Sequence, residues 1–216
     1  MSDEVKKEDV KMVKLMTENE IEAKWNDMTE EERNDCCLYQ KLSVDFVTRH
    51  QKTINFKLLS INPNITFEIL DKFSNRISWV SISLNGKILS DTFIANYANK
   101  IVWSLLLSHQ QLNLKLLVYL SEKYRKNSRS KQARRFWDAV SRYQRFEVDY
   151  VDVYKRYLNF NLMSANPYLN DEIIDEYAVQ LNPEIVLRYH TLSEEVMRKH
   201  LSLFSGYLDK HTKIND

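Results

Sequence analysis

Leu89-Ser90-Asp91-Thr92-Phe93-Ile94-Ala95-Asn96-Tyr97 is the stretch whose reading decides the fold. Ser90 has a side-chain oxygen able to accept the free amide hydrogens of a helix's first turn. Phe93, Ile94 and Tyr97 follow at the three- and four-residue spacing that places side chains on one helical face. The same order of apolar residue, cap, two polar positions, apolar pair and aromatic recurs along the chain. It spans Leu42-Ser43 to His50, Ile65-Thr66 to Phe73, Leu112-Asn113 to Leu120, Phe146-Glu147 to Tyr154, Leu169-Asn170 to Tyr177 and Leu192-Ser193 to His200. The starts at 42, 65, 89, 112, 146, 169 and 192 lie 23, 24, 23, 34, 23 and 23 residues apart, so one copy is longer by about eleven. A fixed period of this length marks a repeat architecture.

Working outward from the caps, a second large side chain precedes most starts by nine residues: Phe56, Trp103, Trp137 and Phe160. Trp79 precedes its start by ten, and Pro183 takes the place before Leu192. Each opens a shorter helix in a pattern such as Ile77-Ser78-Trp79-Val80-Ser81-Ile82-Ser83. Pro183 suits a first helical turn, where its missing amide hydrogen would have had no partner. Two short amphipathic helices cannot bury their apolar stripes alone and must stack on neighbouring copies. The expected fold is therefore all-α, an α-solenoid of stacked helical hairpins spanning residues 37–204, with the Trp, Phe and Tyr side chains in its core. Residues 1–36 read as an N-terminal helical cap. There Val10, Val13, Leu15, Met16 and Ile21 suggest one amphipathic helix, and Thr29-Glu30-Glu31-Glu32 a capping box opening another. Ser2 to Asp9 are expected to fray, and 205–216 to form a C-terminal tail.

Composition supports this reading and removes others. With 216 residues, one large domain or two small ones are expected, and two glycines and three prolines are too few for turn-rich β folds. Apolar residues at 44%, charged residues at 28% and a mean hydropathy of -0.49 describe a chain with a core and a soluble surface. No apolar run approaches a membrane span, and the charged N-terminus has no signal-peptide core, so an intracellular location and no membrane insertion are expected. Cys36 and Cys37 are adjacent, which leaves neither a disulfide framework nor a thiol zinc site; Cys37 aligns with Ser60 and Ser83 as a buried small side chain.

Nothing in the sequence points to catalysis or to a cofactor. His50 and His200 hold the repeat position of Phe73, Tyr97, Tyr154 and Tyr177, and read as packed core residues. His109 and His190 fall in turns, and no pair has the spacing of a helical zinc site. Gly86 and Gly206 cannot make a phosphate loop. Asp171, Glu172, Asp175 and Glu176 follow a cap and read as compensation of a helix dipole.

The aligned pattern Trp79-x-x-Ile82-Ser83, then Leu89-Ser90-x-x-Phe93-Ile94-x-x-Tyr97-x-x-Lys100, resembles the short helical repeats abundant in proteins of large double-stranded DNA viruses, over residues 37 to 204. Glu147 at a cap, Leu120 at an aromatic position and Pro183 at a Trp position depart from it. The resemblance implies a viral or viral-like origin and a binding or structural part, as a virion or capsid-associated component or a host-directed adaptor.

The extra residues fall near 125–135, and their charge is the strongest functional signal. From Lys123 to Arg145 nine basic residues face one acidic residue, a local charge of +8, which leaves -7 elsewhere in a chain of net +1. Arg125-Lys126-Asn127-Ser128-Arg129-Ser130-Lys131 reads as a solvated loop or a helix extension. Lys123, Arg125, Lys126, Arg129, Lys131, Arg134 and Arg135 are the candidate contacts to an anionic partner. That partner is an acidic protein face, viral or host, or a nucleic-acid backbone gripped without base reading. The alternative is a charge run that only keeps the insertion solvated. Open stacking faces also allow homo-oligomers.

Overall fold

Ser90 does cap a helix: its side chain accepts from the Phe93 amide and starts Asp91–Tyr97. Ser43, Thr66, Asn113, Asn170 and Ser193 do the same for the amide three residues on, whereas Glu147 makes no side-chain cap bond. A computed structural model describes residues 14–84 and 89–211, with side chains through 208. The described residues contain sixteen helices and no strand, an all-α fold, in two compact units that divide between Ile82 and Ser83.

The first unit holds α1 (Glu18–Lys24), α2 (Glu30–Tyr39), α3 (Val44–Arg49), α4 (Phe56–Leu59), α5 (Phe67–Lys72) and most of α6 (Trp79–Leu84). In it α2 packs on α4 and α3 on α5. Thr17 and Thr29 both form capping boxes, with Glu20 and Glu32. Among the described residues the first helix begins at Glu18, so Leu15 and Met16 precede it and Ile21 lies in it; Val10 and Val13 lie outside the described residues, as do Ser2 to Asp9. Ile21 and Trp25 are buried beside Phe46, which meets the Trp25 ring edge-on at 5.0 Å. The N-terminal helices thus share the grammar of the later copies.

The second unit holds α7 (Asp91–Tyr97), α8 (Trp103–Leu107), α9 (Leu114–Lys126), α10 (Lys131–Tyr143), α11 (Val148–Tyr154), α12 (Phe160–Met163), α13 (Asp171–Tyr177), α14 (Pro183–Tyr189), α15 (Glu194–Lys199) and α16 (Leu201–His211). First helices of successive copies meet as α7 on α9 and α11 on α13 on α15; second helices meet as α8 on α10 on α12 and α14 on α16. The chain stays helical through His211, beyond position 204 where the repeats were expected to give way to a tail. Residues 212–216 lie outside those described.

A buried hydroxyl ties one second helix to the next. Ser60, Ser83, Ser141 and Ser164 are fully buried. Their Oγ atoms accept from the amides of Ser78 at 2.8 Å, Val102 at 2.9 Å, Asn159 at 2.8 Å and Asn182 at 2.8 Å. Ser60, Ser141 and Ser164 also donate to the carbonyls of Phe56, Trp137 and Phe160. Each hydroxyl therefore satisfies an amide at the entry of the next short helix, a group that would otherwise be costly to bury. Cys37 occupies this position beside the Asn55 amide, and burial pushes its thiol up.

A second network recurs 104 residues along. Asn62 donates to the carbonyls of Cys37 and Gln40, each at 2.8 Å, and Asn166 donates to Ser141 and Gln144, each at 2.9 Å. Gln40 in turn bridges Lys14 and Met16, while Gln144 bridges both backbone groups of Leu112.

Candidate anionic-partner surface

Both helices around the lengthened copy run to thirteen residues, against four to seven in the other copies from α3 to α15, so the insertion forms helix extensions and only Asn127 to Ser130 connect them. Their inner faces explain why they form. Phe136 is fully buried with its ring 5.0 Å from Trp103, 4.7 Å from Tyr124 and 5.2 Å from Trp137. Ala133, Ala139, Val140 and Ser141 complete the buried stripe of α10. Tyr124, one turn beyond Leu120, replaces the missing aromatic. Its hydroxyl donates to the Ala98 carbonyl at 2.8 Å, and burial pushes it up to about 12. Gln132 donates to Ala98 and Ile101 carbonyls at 3.1 and 2.8 Å, fixing the start of α10.

The outer faces carry the charge. Lys126, Arg129, Lys131, Arg134 and Arg135 are exposed, and their side chains make no hydrogen bond or ion pair among the described residues. Two of the seven candidates differ. Lys123 is half-buried and donates to the Ala95 carbonyl at 3.4 Å. Arg125 pairs with Glu122 at 2.5 Å. The five free cations contrast with Arg49, Lys155, Arg188 and Lys199, each of which is paired with a carboxylate.

Two clefts flank α10. One, of about 510 Å³, lies among α8, α10 and α12 and is lined by Arg135, Asp138 and Arg142 beside Trp103, Ser104 and Leu162. The other, of about 350 Å³, is lined by Ser128, Arg134, Trp137, Asp138, Arg156 and Tyr157. Arg156 stands in the turn after α11 and is brought here because the Tyr157 ring stacks on Trp137 at 5.2 Å and 20°. No sequence signal marked it, since it lies eleven residues past the basic run that ends at Arg145.

The histidines are not enclosed core residues. His50 and His200 are half-buried, and each ring pairs with a carboxylate of the preceding copy, Glu22 at 2.8 Å and Asp175 at 2.7 Å. Tyr177 donates to Asp152 at 2.6 Å in the corresponding place. Arg49, then His50, hold the Glu22 carboxyl below its ordinary range; Lys199, then His200, do so for Asp175. Only Asp171 and Glu172 lie in the first turn of α13; Asp175 stands a turn later, where it links copies and does not compensate the helix dipole. His190 meets the Ser164 carbonyl at 2.9 Å.

Among the described residues, no three His, Cys, Asp or Glu side chains gather as a metal site would require, and no helix is long and apolar enough to cross a membrane. No protein-family model, curated protein or solved structure matches this chain.

Proposed function

We propose that this protein is a non-enzymatic helical-repeat binding protein, a stack of short helical hairpins, whose α9–α10 pair docks an acidic face of a partner protein. The observation that carries the reading is the set of five exposed cations, Lys126, Arg129, Lys131, Arg134 and Arg135, without carboxylate partners among the described residues. Four of the five stand on helices whose inner faces are buried, so their backbone is already ordered when they meet an acidic surface. Charge of one sign concentrated there also speeds encounter with a partner of the other sign. The likeness to viral helical repeats adds a setting: a virion component or a host-directed adaptor in the infected cell.

A nucleic-acid backbone is the competing occupant. Protein is favoured because Trp137, the aromatic side chain of α10 between the cations, is only 3% exposed and offers no stacking face to a base. The test is quantitative affinity purification from the native source, after nuclease treatment, with the wild type and with K126A/R129A/K131A/R134A/R135A. An acidic protein retained by the wild type, lost from the variant and released by salt is the expected result. Equal retention by the variant, or loss of all retention on nuclease treatment, overturns the reading.

A further inference from the structure

We propose that the cleft between α10, the α9–α10 connection and the turn after α11 binds a phosphate monoester, namely a phosphorylated side chain of the protein partner. This rests on the reading that α9–α10 docks an acidic protein, and it names the group recognised. Arg134 and Arg156 line the cleft from different elements, and Ser128 and Tyr157 join them in its wall. None of these four side chains has a hydrogen-bond or ion-pair partner among the described residues. Two guanidinium groups and two hydroxyls with unused hydrogens suit the three acceptor oxygens and near double charge of a phosphate monoester.

The dimensions and the remaining lining group narrow the class. About 350 Å³ exceeds a bare phosphate ion and accommodates a phosphorylated residue. Asp138, the one acidic side chain of the wall, accepts from Asn159 at 3.3 Å. A continuous phosphodiester chain would carry further negative charges past Asp138. A peptide brings one phosphate and backbone N–H groups that a carboxylate can accept. Trp137 lines the cleft, and its buried Nε1 hydrogen has no acceptor among the described residues, which makes it a reporter beside the site.

The test follows the four tryptophan indole N–H resonances of the full chain by NMR during titration. The probes are a glycine- and alanine-flanked phosphoserine heptapeptide, its unphosphorylated twin, inorganic phosphate and a single-stranded oligonucleotide. The expected result is a saturable shift at Trp137 with the phosphopeptide and none with the twin, competed by inorganic phosphate. R134Q and R156Q each weaken it roughly tenfold or more, in line with loss of a charge-assisted hydrogen bond, with unchanged far-UV circular dichroism. Equal response to both peptides, response to the oligonucleotide alone, or variants binding as wild type overturns the proposal. The variant K126A/R129A/K131A/R135A leaves the cleft residues in place. If it binds the phosphopeptide normally yet keeps its protein partner, the docking reading fails while the cleft stands; if it loses the partner while the wild-type cleft ignores phosphate, the reverse holds.

Discussion

Ser141→Ala tests the hydroxyl links that join successive second helices. Ser141 is fully buried, donates to the Trp137 carbonyl at 2.7 Å and accepts the Asn159 amide at 2.8 Å. Alanine keeps the backbone and gains roughly 0.5 kcal/mol of helix propensity. It also strands the Asn159 N–H at the entry of α12, a four-residue helix with little stability of its own. An unsatisfied buried amide costs about 1–3 kcal/mol, so the loss wins and the net destabilisation is about 1–2 kcal/mol. For a chain of this length that lowers Tm by about 2–8 °C. Urea unfolding followed by circular dichroism and tryptophan fluorescence gives the free energy directly. Ser202→Ala, exposed on α16, is the matched control and should stay within about 0.5 kcal/mol of wild type. A Ser141→Ala protein as stable as that control would refute the reasoning.

Cys37→Ser places a better acceptor beside the Asn55 amide and should leave stability unchanged or raise it by up to about 1 kcal/mol; a clear loss would mean that the thiol matters through packing. Asn166→Ala removes two donors to buried carbonyls and should cost about 2–3 kcal/mol by the same urea assay. Phe136→Ala opens a cavity among Trp103, Tyr124 and Trp137 and should cost about 3–5 kcal/mol, whereas the exposed arginine variants should barely change stability. Glu22 and Asp175 have folded values lowered from 4.5 and 3.8, so their contribution is present above those values and disappears as pH falls through the folded ones. Tm measured across pH 2 to 6 should therefore drop on acidification, and Asp175→Asn should flatten part of the drop; an unchanged profile in that variant would contradict the link to Lys199 and His200.

The caps and apolar pairs were legible because both act within one turn: Ser90 and Phe93 need no knowledge of the rest of the chain. The serine position was visible as a repeated small residue, with Cys37 aligned to it, but its hydrogen bond was not, because the accepted amide lies eighteen or nineteen residues away in the next helix. The rings of His50 and His200 do pack on aromatic neighbours, as their place in the repeat leads one to expect, but they stay partly exposed and pair with carboxylates. Their carboxylate partners belong to the preceding copy, at a separation the local pattern does not encode. The basic run was legible as charge, yet whether it formed loop or helix depended on Phe136, Trp137 and Tyr124 finding Trp103, a contact set by packing. Arg156 joined the site for the same reason.

The most direct measurement of the central claim is the dissociation constant of the purified protein and its acidic partner as a function of salt, for the wild type and for K126A/R129A/K131A/R134A/R135A. Screening should weaken the wild-type complex steeply. The account predicts at least a tenfold weaker variant complex at low salt and a distinctly shallower salt dependence. Superimposable curves for the two proteins would contradict it.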